Sequence, residues 1–88
     1  MVFNVSYDLH QPGRDYTDLI AEIKTLGAWC HVLESYWLVD TSETLETIFT
    51  KLRAKMDNND SLFIVRVTSP YKGWISQDRW TWIHEHVK

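Results

Sequence analysis

The chain is poor in residues that cross-link a protein or anchor it in a membrane. Its 88 residues include one cysteine, three glycines and two prolines, and no apolar run of membrane length. The single cysteine, Cys30, excludes an internal disulfide and fits a reducing compartment. No secretory signal is recognisable, so the sequence predicts a cytoplasmic protein that does not enter a membrane. A net charge of −3 excludes a strongly basic surface, and nucleic acid would need a local basic patch.

Aromatic side chains are abundant for so short a chain. Five tryptophans and four tyrosines are present, and rings of this size dominate cores and interfaces. A chain of this length forms one domain and buries only about 60 to 65 per cent of the surface that its unfolded form exposes. We therefore expect one domain over residues 1–88, with a core in 1–69, a helical extension in 70–88, and some rings in contact with another subunit.

The first half of the chain alternates strand and helix patterns. Residues 2–9 follow an apolar strand pattern, and Asp8 lies at its carboxyl end. A helix capped by Asp15 or its neighbours and ended by Gly27 follows, with an apolar face made of Tyr16, Leu19, Ile20, Ile23 and Leu26. Residues 28–40 are aromatic and β-branched, which indicates extended structure, and the apolar pattern breaks at Glu34–Ser35, where a hairpin can form.

The second half repeats this alternation. Residues 40–43 offer caps for a second helix, whose apolar face is Leu45, Ile48, Phe49, Leu52 and Met56. A strand over 62–67 is apolar on both sides, with Phe63, Val65 and Val67 on one side and Leu62 and Ile64 on the other. Trp74–Ile75 predicts a short edge strand. Ser76 can cap a last helix with the stripe Trp80, Ile83 and Val87, which leaves Trp82 for a partner.

This order of elements predicts an α+β protein with a ferredoxin-like βαββαβ sandwich and an extra C-terminal helix. Two helices would cover one face of the sheet. Because the strand over 62–67 is apolar on both sides, the other face also needs a cover. The simplest cover is a second copy of the chain, so the sequence predicts a homodimer through the sheet face.

Several short motifs resemble a known superfamily. Ser6–Leu9, the segment Glu34–Trp37 and the strand over 60–67 resemble the second CRISPR-associated (Cas) protein over residues 2–68. The chain is similar over its whole length to the small SinR-like proteins of that superfamily, through the motifs Tyr7-Asp8-Leu9, Ala28-Trp29, Gly73-Trp74-Ile75 and Trp80-Thr81-Trp82.

The resemblance implies a dimer in which the two copies of Asp8 face each other and share one Mg²⁺. Such an ion suits phosphodiester hydrolysis, because it neutralises phosphate and lowers the pKa of bound water. The Cas proteins include metal-dependent nucleases and non-catalytic scaffolds, and VapD is a related ribonuclease. Asp8, Ser35 and His10 are therefore the candidate catalytic residues, and Asp8 is the candidate metal ligand.

Each candidate also has a purely structural interpretation. Asp8 can cap the backbone amides of the turn that follows it, and Ser35 can be a turn hydroxyl bonded to nearby backbone. His10 can act as a general acid or base or can simply be exposed. Although His84 and His86 invite a metal interpretation, residues two apart on a helix point in different directions.

The basic residues Lys51, Arg53 and Lys55 are the candidate nucleic-acid contacts. Cations in the last turns of a helix also stabilise its dipole, which accounts for them without any ligand. Two function classes follow. The first is a non-catalytic dimeric module that binds a protein or nucleic-acid partner in a defence or toxin–antitoxin setting, and the second is a Mg²⁺-dependent endonuclease that uses Asp8 from both subunits. The acidic net charge and the aromatic content favour the first class.

Overall fold

A computed structural model describes residues 1–10 and 16–88. The described elements are β1 (Val2–Asp8), α1 (Thr17–Thr25), β2 (Ala28–Leu33), β3 (Tyr36–Asp40), α2 (Leu45–Arg53), β4 (Ser61–Arg66) and α3 (Gln77–His86). The predicted order of helices and strands is confirmed, including the hairpin at Glu34–Ser35, except for the edge strand predicted at Trp74–Ile75. The predicted cap at Asp15 lies outside the described residues. No described helix is both long and apolar enough to span a membrane.

The four strands form one antiparallel sheet in the order β2-β3-β1-β4. β1 lies in the interior of the sheet, paired with β3 from Val2 to Ser6 and with β4 from Phe3 to Asp8. The protein is thus a small α+β fold with a four-stranded antiparallel sheet and three helices. Its strand order is compatible with a ferredoxin-like arrangement.

The inner face of the sheet, as we call the face toward α1 and α2, carries the larger core. Alternation along β1 directs Phe3, Val5 and Tyr7 to this face. The helices meet them with their buried residues Leu19, Ile23, Ile48 and Leu52. Trp37 also belongs to this core, and its indole Nε1 donates a hydrogen bond of 3.0 Å to the Tyr7 hydroxyl. The indole N–H is therefore satisfied although it is buried.

The opposite, outer face of the sheet is covered in part by α3. A second core joins the strand residues Val2, Val32 and Leu38 to Ile83 and Val87. The expectation that a second copy must cover this whole face is therefore too simple, because the chain's own last helix covers the side formed by β2 and β3.

Trp82 does not point away from the protein, although it lies off the apolar stripe of α3. It is half-buried against the second core, and its ring stacks on His86 with a centroid distance of 4.0 Å. This contact corrects its assignment to a partner. The stripe of α3 is simply wider than three residues.

The caps of the last two helices differ from the predicted ones. Thr44, not a residue in 40–43, caps α2, because its hydroxyl accepts from the Thr47 N–H at 3.2 Å. Thr41 is used earlier, in the loop, where its hydroxyl accepts from the Glu43 N–H. Ser76 does precede α3, but its hydroxyl donates to the Asp78 carboxylate and to no backbone group. That bond lowers the pKa of Asp78.

Two further expectations need correction. The face of α2 is narrower than predicted, since Leu45 and Phe49 are exposed. Trp74–Ile75 forms no strand, because the chain between β4 and α3 has no regular structure.

Gly27 ends α1 as expected, but for a different reason. A Cβ atom there would lie 2.2 Å from the Asp40 carbonyl oxygen. The close approach of two backbones, where β2 begins beside the end of β3, therefore excludes a side chain.

Candidate functional site

The three predicted catalytic residues lie at one end of the sheet. Asp8 ends β1 and is paired in register with Ser61, the first residue of β4. Ser35 lies in the β2–β3 turn beside this end, because its carbonyl accepts a 3.1 Å hydrogen bond from the Tyr7 N–H. His10 follows two residues after Asp8. The topology therefore brings Asp8, Ser35 and His10 to the same region, as the sequence interpretation requires.

Asp60, which is not among the predicted site residues, organises this region. Its carboxylate accepts from the His10 backbone N–H at 2.8 Å and from the Tyr16 hydroxyl at 2.9 Å. It also accepts from the Asp57 backbone N–H at 2.8 Å. Donors from three separate places in the chain thus meet on one carboxylate. Asp60 joins the loop after β1 to the loop before β4, and its role is structural.

Whether Asp8 caps the turn that follows it depends first on the backbone N–H of His10. A carboxylate that caps the following turn most simply accepts from the amide two residues later, and here that amide, of His10, is bound by Asp60. Among the described residues, no donor reaches the Asp8 side chain, which is exposed beside Ser61 and Phe63 in a shallow hollow. Asp8 is therefore chemically available to a ligand from outside.

Asp8 is nevertheless a single carboxylate. Within residues 1–10 and 16–88, no three side chains of His, Cys, Asp or Glu lie close enough together to hold a metal ion. Mg²⁺ accepts a small number of protein oxygens together with several waters. Among the described residues of this region, Asp60 is bound by donors within the chain and Asp8 is the carboxylate open to a ligand, so a shared ion would draw on Asp8 of a second copy.

The basic residues lie on the helix layer and are largely used within the chain. The Lys51 ammonium lies 2.9 Å from the Glu43 carboxylate. The Arg53 guanidinium donates to the Met56 carbonyl at 3.2 Å and to the Asn58 side chain at 2.9 Å. Lys55 is half-buried just beyond the helix. These three residues do not present three free cations to a phosphate backbone.

The most conspicuous exposed surface is the part of the outer face that α3 leaves uncovered. We call this surface, formed by the outer sides of β1 and β4, the open half-sheet; it carries Ser6, Asp8, Phe63 and Val65. Phe63 is 66% exposed and Val65 is 45% exposed. Two neighbouring apolar residues on a sheet face, both uncovered, are typical of an interaction surface.

The polar residues under this surface are satisfied internally. Asn4 is only 2% exposed, and the Oδ1 atom of its side chain accepts a hydrogen bond from the Val65 backbone N–H at 2.7 Å. Its amide nitrogen donates to the Ser6 hydroxyl, which in turn donates to the Phe63 carbonyl. This network connects β1 to β4 and leaves the exposed apolar side chains as the groups available for contact.

An apolar groove adjoins the open half-sheet. It has a volume of about 270 Å³ and lies between the strands, α3 and the segment that connects β4 to α3. Tyr36 and Trp80 line it, and Trp74, whose side chain is fully exposed, stands at its border. Burial raises the pKa of the Tyr36 phenol, so this hydroxyl stays protonated and able to donate. Burial likewise raises the pKa of the Cys30 thiol, which makes it a poor nucleophile.

Comparison with known proteins leaves the function open. No family model, no curated protein and no solved structure matches the chain. The resemblance to the SinR-like proteins therefore stays a prediction, and the function has to be argued from the geometry.

The sequence pattern places Phe63 and Val65 on one side of their strand, but apolar alternation does not say which part of a sheet face the chain itself covers. Asn4 was not predicted. It carries a signal, because a buried amide inside an apolar strand needs hydrogen-bond partners for both its ends; here they are Ser6 of the same strand and Val65 of β4.

Proposed function

We propose that the chain is a non-catalytic homodimeric binding module whose copies meet on the β4 side of the molecule. The observation that carries the proposal is the exposure of Phe63 and Val65 side by side on a sheet face that is otherwise covered. Burial of such side chains against a partner is favourable at roughly 25 cal/mol per Å² of apolar surface. A small chain gains more from such a contact than a large one, because its own core is limited.

The partner beyond the dimer, in this proposal, is a protein. The net charge is −3, and Lys51 and Arg53 have partners within the chain. Binding to nucleic acid rests mainly on free cations that contact phosphates. The apolar groove bordered by Trp74 offers instead the aromatic and aliphatic surface that protein interfaces favour.

Oligomeric state tests the proposal directly. Light scattering coupled to size-exclusion chromatography should give twice the 10.5 kDa of one chain. Phe63→Lys should shift the folded protein toward the monomer, because it replaces an apolar side chain at the contact by a charge. Leu33→Lys is the matched control, since Leu33 is 56% exposed at the end of β2, at the sheet edge opposite β4. A monomeric wild type, or equal loss of the dimer in both variants, would contradict the proposal.

A Mg²⁺-dependent endonuclease is the second candidate. The observation that favours it is the exposed Asp8 carboxylate, which has no donor among the described residues and lies at the end of the open half-sheet. In a symmetric dimer two such carboxylates could hold one ion, which would supply charge neutralisation and an activated water.

The two candidates differ in a cleavage assay. Labelled single- and double-stranded RNA and DNA are incubated with Mg²⁺, Mn²⁺ or EDTA, with wild type beside Asp8→Asn. The binding-module proposal expects no metal-dependent cleavage and equal background for both proteins. Metal-dependent cleavage that is abolished in Asp8→Asn would establish the nuclease instead.

A further inference from the structure

The two edges of the sheet are protected very differently. β2 has an irregular register between His31 and Leu33, and α3 packs beside it. Arg79 of α3 donates from its Nε to the His31 carbonyl at 3.0 Å. Bulges, charged groups and covering helices are the usual means by which proteins block an edge strand from pairing with another chain. The β2 edge carries all three.

Apart from the charge of Arg66, the β4 edge shows no bulge and no side chain bonded across it among the described residues, and α2 packs on the inner face of the strand. β4 pairs with β1 in an unbroken register from Phe3↔Arg66 to Asp8↔Ser61. It contains no proline, and Arg66 is its only charged residue. The segment that follows β4 does not fold back along this edge, since it borders the groove beside α3. β4 therefore presents a regular, unblocked edge of the kind that accepts another strand.

The alternation of hydrogen bonds along β4 shows which of its residues direct their backbone N–H and C=O groups away from β1. The Val67 N–H donates to the Val2 carbonyl at 2.8 Å, and the Val65 N–H donates to the Asn4 side chain. Residues 65 and 67 thus direct their backbone groups toward β1. In an antiparallel sheet successive residues alternate in this respect. The backbone groups of residues 62, 64 and 66 accordingly point away from the sheet.

We infer that β4 of one copy pairs antiparallel with β4 of a second copy, with the two-fold axis at Ile64. This inference rests on the proposed homodimer and specifies how its copies meet. In this register Ile64 lies opposite Ile64 of the partner subunit, and Leu62 lies opposite Arg66 of the partner subunit. All of these residues have outward-pointing backbone groups, so the pairing uses the free hydrogen-bonding groups of both edges. The two four-stranded sheets become one continuous sheet.

The same register places the exposed apolar side chains of the two copies side by side. On the outer face Phe63 lies opposite Val65 of the partner subunit, and the symmetry repeats this pair. Aromatic residues opposite β-branched residues are favourable cross-strand pairs. On the inner face the half-buried Leu62 meets the aliphatic stem of Arg66 from the other copy, while the guanidinium can remain in water.

The position of α3 favours this arrangement over direct stacking of two sheet faces. A helix with its side chains is about 10 Å in diameter, and α3 stands on the outer face over β2 and β3. A second sheet could reach contact distance only over the two strands of the open half-sheet. Pairing at the β4 edge meets no such obstacle, because α3 lies on the far side of the sheet.

A proline at position 66 tests the edge directly. Arg66→Pro removes an outward N–H and places a ring at the edge, while the exposed side chain takes little part in the core. Arg66→Ala is the matched control, since it removes the same side chain but keeps the N–H. We expect monomers for Arg66→Pro and dimers for Arg66→Ala by light scattering, with both variants folded by circular dichroism and urea unfolding.

Amide hydrogen exchange on the unmodified protein gives a second, independent readout. The amides of Leu62, Ile64 and Arg66 should become protected as the protein concentration rises, whereas those of Val65 and Val67 should be protected at every concentration. If a dimer forms but these three amides exchange rapidly and Arg66→Pro remains dimeric, the copies stack through their faces and the edge pairing is wrong. If the wild type is monomeric at all concentrations, the proposed homodimer itself is wrong.

Discussion

The two halves of the outer sheet face have the same strand chemistry and opposite surroundings. Under α3, Val32 and Leu38 are buried; beyond it, Phe63 and Val65 are exposed. Both pairs alternate with inward-facing residues along their strands, as half-buried strands do. The comparison teaches that the apolar pattern marks surface that needs a cover, whereas the position of α3 decides which part is covered within the chain and which part is left for a partner.

The largest effect is expected for a substitution that weakens the contact between α3 and the covered half of the outer face. Ile83 is 6% exposed and joins α3 to the strands below it. Ile83→Ala should lower the free energy of unfolding by about 3 kcal/mol, because it removes buried methyl groups and leaves a cavity. Urea unfolding of dilute protein measures this loss, and protease cleavage between β4 and α3 should become faster.

The open half provides the control for that prediction. Val65→Ala, on a side chain that is 45% exposed, should change the stability of dilute protein by no more than about 0.5 kcal/mol. If both substitutions cost the same, the two halves do not differ in the way the structure indicates.

A smaller effect is expected at the connection between β1 and β4. Asn4→Ala removes the buried side-chain acceptor of the Val65 N–H and the donor to Ser6, and the loss of such buried hydrogen bonds should cost about 2 kcal/mol. Urea unfolding should show this loss, and exchange of the Val65 amide should become faster. Ser6→Ala, which removes a more exposed hydroxyl, should cost less than about 1 kcal/mol. A larger loss for Ser6→Ala would reverse the assigned roles.

The smallest effect concerns the end of α3. A hydrogen bond of 2.8 Å from the His86 ring to the Asp40 carboxylate lowers the pKa of Asp40, and the amino group of Met1 acts in the same direction. Because the pKa is lowered in the folded state, the stabilisation is present above the ordinary value of 3.8. It is lost as the pH falls through the lower folded value.

The lowered pKa of Asp40 predicts that part of the stability is lost in acid. Between neutral pH and about pH 3, wild type should lose about 0.5 kcal/mol more than Asp40→Asn, a small value because the pair is partly exposed. Glu85→Gln, also at the end of α3, should follow the wild-type curve. Parallel curves for wild type and Asp40→Asn would show that the contact does not stabilise the docked helix.

Much of the fold could be predicted from local patterns. The helical face of α1, the break at Glu34–Ser35 and the two sides of β4 all depend on residues close together in the chain, and each was predicted correctly. The cap of α2 was predicted wrongly, because several hydroxyl and carboxylate side chains precede the helix. The Thr41 hydroxyl accepts a hydrogen bond within the loop, and the Thr44 hydroxyl caps the helix.

The candidate site was likewise predicted only in part. The placement of Asp8 at the end of β1 follows from its strand pattern alone. The role of Asp60 does not, because its donors come from His10, Tyr16 and Asp57, and only the pairing of β1 with β4 brings them together.

The sequence by itself determined the order of the strands and helices along the chain and the apolar side of most of them, because side-chain periodicity and turn residues act over a few positions. Only the tertiary structure decided that α3 lies on the outer face of the sheet and that no other described part of the chain covers the free edge and the outer side of β4. The reason is that burial is a property of pairs of surfaces. An apolar stripe states that a helix needs a partner surface, but the length and path of the connection from β4 decide which surface the helix can reach.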